Sequence, residues 1–383
     1  MKKIYLFTNI APHYRKPLWK LLLQNPKNEF HFFFGNNSVS GIRPIYFEKH
    51  EFESIHNRLH RVKNIWYKGK VLIWQKGIIS RCIISKFDIA IFLGEMYCIS
   101  TWLSAIICRL RGKTVTFWGH GLYGNEGKLK LFVRKIFYRL AHNHLLYGQR
   151  AKQLMLQQGF NSNKLFIVFN SLDYDEHKAI RDKYSHLSKE KELTFFKNPL
   201  LPALIFIGRL TENKKLDFLI KSVSELNKEK ESVNLIIIGD GDERKNLERI
   251  GEKGLNNYIH FTGAYYNEQK IGRYLAISDL CVSPGNVGLT AIHSLSFGTP
   301  VCTHNNMNNQ MPEAEAIYEG YNGFFFEENN VEDLVYRIKS WICINRNRFK
   351  IRQNCYKVID NYYNPYYQLT VFNRLTNRAH PEI

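Results

Sequence analysis

Short apolar runs, separated by longer stretches of helical spacing, recur along the whole chain. In the first half they fall at residues 4–8, 30–34, 89–93, 114–118, 144–147 and 165–169. In the second they fall at 203–207, 234–238, 259–262, 280–283 and 300–303. Many are unbroken Ile, Leu and Phe rather than alternating apolar and polar, which is how a strand covered on both faces reads. Helical segments between the runs make repeated strand–helix units. The pattern therefore predicts an α/β chain with two doubly wound, Rossmann-like parallel-sheet domains.

A length of 383 residues fits two domains, and 44% hydrophobic residues suffices for two cores. The predicted organisation is an N-terminal domain over 1–175, a linker over 176–202, a C-terminal domain over 203–360 and a tail over 361–383. The linker is assigned to a Lys/Glu-rich stretch without strong periodicity. The tail carries Tyr362, Tyr363, Pro365, Tyr366 and Tyr367, too aromatic for a loose end, and is expected to pack back on the first domain. No apolar run reaches the roughly 18 residues of a membrane span. The N-terminal apolar stretch, residues 4–7, is too short for a signal peptide and reads as a first strand. The seven cysteines are scattered, without a CxxC pair, as expected of buried free thiols in a reducing compartment; none has zinc-site spacing.

The net charge of +20 changes the picture. Residues 57–86 hold eight Lys or Arg and no acidic residue, interleaved with Trp66, Tyr67 and Trp74. Over 128–140, Leu129, Phe132, Val133, Ile136, Phe137 and Leu140 fall on one helical face, with Lys130, Arg134 and Arg139 largely off it. Such a helix either packs on a core with a solvated basic side or lies on an anionic bilayer. The overall charge favours membrane contact. Nucleic acid is not expected as a partner, because no RNP-type, KH-type or zinc-finger pattern accompanies the charge.

In doubly wound folds ligands sit beyond the carboxyl ends of the strands. The run 203–207 leads into Gly208-Arg209-Leu210-Thr211-Glu212-Asn213-Lys214, and two cations five residues apart at a strand end suit a diphosphate. The run 234–238 ends in Gly239-Asp240-Gly241-Asp242, a turn that lets backbone approach a nucleotide. The run 259–262 closes at Gly263, where main-chain groups could pair with a base. The most distinctive stretch is Ser283-Pro284-Gly285-Asn286-Val287-Gly288-Leu289, a glycine-rich loop with a helix starting near Gly288. Helix-start N–H groups favour an anion. His293 follows about one turn in.

Taken together, GRL…K, IIGDG, a strand ending in FxG, SPxxxGLxxxxSLxxGTPV and ExIxxGxNG resemble family 4 glycosyltransferases, in the right order over nearly all of the second half. In the first half Val168-Phe169-Asn170-Ser171-Leu172-Asp173, Trp118-Gly119-His120-Gly121 and Pro12-His13-Tyr14-Arg15 resemble the family's pre-linker segment, histidine loop and first strand end. The resemblance implies a GT-B fold, its two domains facing a central cleft. It further implies a retaining transfer of a hexose-type sugar from a nucleotide sugar, with no cofactor and no obligatory metal. Arg209 and Lys214 would hold the donor diphosphate. His120 would face the donor across the cleft. Gly285, Asn286, Val287, Gly288 and Leu289 would wrap sugar and phosphate, and Glu315 would orient the donor side. Pro12, His13, Tyr14 and Arg15 would lie on the acceptor side.

One departure stands out. The family has two glutamates eight residues apart where this chain has Gly285 and His293. A histidine can replace the second as a hydroxyl ligand, since it also donates or accepts. The expected activity is glycosyl transfer to a glycan or lipid-linked glycan, as in bacterial lipopolysaccharide or capsule synthesis. Its expected setting is the cytoplasmic face of the membrane. The alternatives are a GT-B nucleotide-sugar epimerase and a non-catalytic nucleotide-sugar or polyanion binder.

Overall fold

The computed structural model describes the chain except at residues 36–41, 68–70, 185, 231, 253, 345–346, 378 and 382–383. It forms two compact units, Met1–Asp173 with Asn364–Ile383, and Tyr174–Tyr363.

Among the described residues the first unit holds strands β1 (Lys2–Thr8), β2 (Asn28–Gly35), β3 (Leu59–Tyr67), β4 (Leu72–Lys76), β5 (Ile89–Leu93), β6 (Thr114–Gly119), β7 (Asn143–Leu146) and β8 (Leu165–Ile167). Their order in the sheet is β4-β3-β2-β1-β5-β6-β7-β8, parallel except for the antiparallel β3–β4 pair. The strands are apolar on both sides because both faces are covered. On one face Phe7 stacks on Phe33 and Phe92, each at 4.8 Å. On the other, Trp19 stacks on Phe32 at 4.2 Å. The helix Pro365–Thr376 joins that second face: Phe372 meets Phe30 at 6.1 Å and Trp118 at 5.4 Å, edge to face. Gln368 fixes it further, accepting from Ser171 Oγ at 2.6 Å and donating to the Phe169 carbonyl at 3.1 Å.

In the second unit β9 (Ala203–Ile207), β10 (Asn234–Ile238), β11 (Ile259–Gly263), β12 (Leu280–Ser283), β13 (Val301–His304) and β14 (Gly323–Phe326) lie in the order β11-β10-β9-β12-β13-β14. All are parallel. The order reverses between β9 and β12, where such sheets open a crevice for a ligand. In the first unit the same reversal falls between β1 and β5.

Three features depart from the sequence reading. The basic stretch 57–86, of which 68–70 lie outside the described residues, contains β3 and β4. The run after Asn322 is a strand, β14. Residues 176–202 are built into the second unit instead of linking two domains. The helix Tyr174–Lys183 buries His177, Ile180 and Arg181, and Leu193 and Phe196 are buried beyond it. Arg181 grips Asp360 with both amino groups, at 3.0 and 2.9 Å, and lies over the Tyr356 ring at 4.3 Å. Charged residues placed inward show no apolar periodicity, which is why this segment looked like a linker.

Candidate functional site

In the second unit the loops after β9, β10, β11 and β12 gather at one sheet edge. Gly208 donates to the Ile238 carbonyl at 3.0 Å, and Gly239 to the Gly263 carbonyl at 3.0 Å. The backbones are so close that a Cβ on Gly239 would lie 1.9 Å from the Gly208 oxygen. One on Gly241 would lie 2.4 Å from the Leu210 oxygen. Gly263 sits in the left-handed region at φ 79°, open to glycine at no cost.

Arg209 is exposed at the end of β9. Lys214 is half-buried and reaches across to the loop after β12, donating to the Asn286 carbonyl and to Asn286 Oδ1, both at 2.7 Å. Burial lowers its pKa, and the carboxylate of Glu313 pulls it back up. The acidic group beside Lys214 is the buried Glu313, and Glu315 lies two residues further along the same short helix, Pro312–Ala316.

The loop 285–289 explains the missing glutamate. Gly285 donates to the Lys214 carbonyl at 3.1 Å, and a Cβ on it would stand 2.1 Å from the Asn213 oxygen and 2.8 Å from Lys214 Cα. No side chain fits there while the two loops touch. Val287 is also committed: its amide donates to Gln310 Oε1 at 2.8 Å, and Gln310 is held by Thr303 Oγ1 and the His304 carbonyl. The backbone donors left for a ligand are those of Asn286, Gly288 and Leu289, where the helix Leu289–Ser296 begins. Thr290 fastens that helix to β9 through the Ile207 carbonyl at 3.0 Å.

His293 does not stand alone. Its Nε2 lies 2.9 Å from Glu268 Oε2, and His177 Nε2 lies 3.3 Å from the same oxygen. The Nε2 of His293 is thus already engaged by Glu268. Burial would raise the Glu268 pKa, but the two imidazoles outweigh it and hold the carboxyl far below its ordinary value.

In the first unit the ends of β1, β5 and β6 enclose a polar cavity of about 170 Å³. Pro12, Tyr14, Arg15 and His120 line it, together with Glu95 and Tyr147. His13 does not: it is exposed, and its amide donates to the Arg43 carbonyl at 3.0 Å. Arg15 is buried, donates to Tyr147 Oη and lies 4.4 Å from the centre of the Trp118 ring. His120 stacks on Tyr123 at 5.6 Å. Burial lowers its pKa to about 4, with the Arg15 and Arg134 charges pushing the same way, so the ring is neutral at pH 7. Burial raises the Glu95 carboxyl, against the pull of Arg134. A neutral imidazole, a carboxyl and tyrosine hydroxyls are donors and acceptors suited to a hydroxyl-rich ligand.

Glu95, Tyr147, Arg134, Glu126, Glu268, His177, Gln310 and Glu313 were not found from the sequence. Glu95 was findable, because it follows the run 89–93 by the same strand-end rule that exposed Arg209. The others act through partners that only the folded chain brings into place. Arg134 forms a buried ion pair with Glu126 at 2.7 Å, and Glu126 also accepts from the Tyr123 and Gly124 amides, fixing the loop that carries His120.

Residues 190–358 match the family described as Glycosyl transferases group 1. The match lies wholly within the second unit and contains the loops after β9, β10, β11 and β12. A Methanocaldococcus jannaschii protein, the uncharacterized glycosyltransferase MJ1069, is 25% identical over 218 residues, 55% of this chain and 52% of its own length. The chain thus spans about half the length of such relatives. The crystal structure of Alr3699/HepE from Anabaena in complex with UDP superposes with a TM-score of 0.69 at 16% identity, covering 98% of this chain and 100% of that one. The apo form of WaaB, a lipopolysaccharide outer core galactosyltransferase, superposes with a TM-score of 0.69 at 14% identity, covering 98% and 99%. The fold is GT-B, with two parallel-sheet α/β domains.

Proposed function

We propose that this chain is a retaining glycosyltransferase that takes a sugar from a nucleoside diphosphate donor and passes it to a glycan or lipid-linked glycan. The observation that carries the reading is the sheet edge at β9 and β12. There Arg209, Lys214 and the helix start at Gly288 converge within the segment matching group 1 transferases. In this reading Arg209 and the Gly288–Leu289 amides neutralise the departing diphosphate, while Lys214 braces the loop through Asn286. The C–O bond to phosphate stretches first, and the acceptor hydroxyl attacks from the same face, assisted by a phosphate oxygen. Fixed cations do the work of charge neutralisation, so no metal ion enters the reaction. The polar cavity of the first unit, with His120, Glu95 and Arg15, takes the acceptor.

The complex of HepE with UDP favours a uridine nucleotide. A thermal-shift screen of UDP-, GDP- and CMP-sugars tests this, since a ligand that binds only the folded form raises Tm. At one hundred times its Kd the stabilisation is about 2.7 kcal/mol. UDP-sugars should raise Tm, and nucleoside diphosphate should be released once an acceptor is added. No shift with any nucleotide would remove the transferase reading. Conversion of the donor alone would turn it into an epimerase.

We further propose that the first unit works against an anionic membrane, at its cytoplasmic face. Leu129 and Phe132 of the helix Lys128–Arg139 are 76% and 62% exposed, and Val133 and Ile136 are exposed beside them. On the inward side Arg134, Phe137 and Tyr138 are buried. The helix Ile99–Leu110 packs alongside, Trp102 meeting Phe137 at 5.0 Å, and exposes Leu103, Ile106 and Leu110. Lys128, Lys130, Arg109 and Arg139 frame this apolar face. Charge complementarity points to anionic lipid. No helix among the described residues is long and apolar enough to cross a membrane, which leaves surface contact. The protein should float with anionic liposomes at low salt and release at high salt. Phe132→Glu together with Leu129→Glu should weaken binding about tenfold or more, by the apolar burial lost. Equal flotation of the variant, or none by the native protein, would end this assignment.

A further inference from the structure

We propose that His177, Glu268 and His293 form a divalent transition-metal site, best suited to zinc, that fastens the donor-loop helix to the first helix of the second unit. The three residues come from three helices, Tyr174–Lys183, Glu268–Ile277 and Leu289–Ser296. One ligand atom from each lies within 4.8 Å of the others. Glu268 Oε2 is 3.3 Å from His177 Nε2 and 2.9 Å from His293 Nε2. Zinc binds imidazole nitrogen and carboxylate oxygen at about 2.0–2.2 Å. The edge of a tetrahedron with such bonds is about 3.3–3.6 Å, so the two observed separations need little adjustment to enclose an ion.

The ligand chemistry selects the ion. Two imidazoles and one carboxylate suit zinc and its neighbours, and calcium or magnesium would demand more oxygen. The surroundings are closely packed: His177 is 4% exposed, and its ring stacks on that of His293 with centres 4.9 Å apart. Phe297 packs against both rings, at 5.1 and 5.6 Å, closing the apolar side. Three protein ligands leave a fourth position for water. His177 lies four residues after Asp173, the last residue of the first unit's N-terminal segment, and His293 lies in the helix whose start forms part of the proposed donor loop. An ion here would fix that helix at a place where a ribose-binding glutamate is implied by the family resemblance. The inference stands apart from the sugar-transfer reading, because it is read on the protein without donor.

The test uses untagged full-length protein, stripped with chelator and dialysed against zinc chloride. One zinc per chain should be retained, and cobalt(II) in its place should give the strong visible absorption of a tetrahedral site. Zinc should raise Tm of the native protein by several degrees. His177→Gln and Glu268→Gln should each weaken binding at least about tenfold. Both substitutions conserve shape, and far-UV circular dichroism confirms that each variant is folded. Should either fail to fold, His293→Gln carries the same test. Trace zinc in the native protein, or full binding by the folded variants at some other of the fourteen histidines, would overturn the proposal.

Discussion

Arg209→Ala should lower kcat/KM by about 10²–10³-fold while leaving Tm within about 1 °C. The guanidinium is exposed at the carboxyl end of β9, so its removal takes little from the fold. In the proposed reaction its charge acts where the diphosphate leaves, and losing one such preorganised donor typically costs about 2.7–4 kcal/mol of transition-state stabilisation. Arg209→Lys should restore only part of the rate, because an ammonium cannot grip two phosphate oxygens in a plane. Steady-state kinetics with the donor found by the nucleotide screen decide the matter. A kcat/KM within threefold of the native value would place the phosphate elsewhere.

Returning a glutamate to position 285 should harm the protein. The family resemblance suggests that Gly285→Glu would supply a missing donor contact. The close approach of Asn213 and Lys214 says otherwise, because even a methyl group at 285 would overlap the Asn213 oxygen. Overpacking of this kind costs about 1–3 kcal/mol or more, which for a unit of this size is a fall in Tm of roughly 5 °C or more. Displacing the loop also pulls Lys214 from Asn286, so turnover should fall at least about tenfold. Gly285→Ala should already bring most of the thermal loss. A glutamate variant with unchanged Tm and faster turnover would show that the two loops do not touch in the working enzyme.

What was legible in the sequence follows from where burial leaves a local mark. The runs at 203–207, 234–238 and 280–283 coincide with β9, β10 and β12 because a strand covered on both faces must be continuously apolar. β3 was missed because one of its faces mixes Leu59 with Arg61 and Lys63, next to the edge strand β4, and β14 because it opens on a glycine within a turn motif. At the candidate site, glycines were readable since close backbone approach needs them. The partnership of His293 with Glu268 and His177 was not, because residues 25 and 116 positions away meet only when three helices pack. The helix 128–140 shows the limit of periodicity: of its expected apolar face Phe137 is buried, while Leu129, Phe132, Val133 and Ile136 are exposed.

The return of the last helix has a bearing on synthesis. Phe372, Val371 and Leu375 complete the core around Trp19, Phe30 and Trp118, so the first unit is assembled from both extremes of the chain. As the chain leaves the ribosome, the second unit can close as soon as its own contiguous stretch has emerged. The first must wait, with its aromatic core open to solvent, until residue 376 is available, and a chaperone would have most to do during that interval.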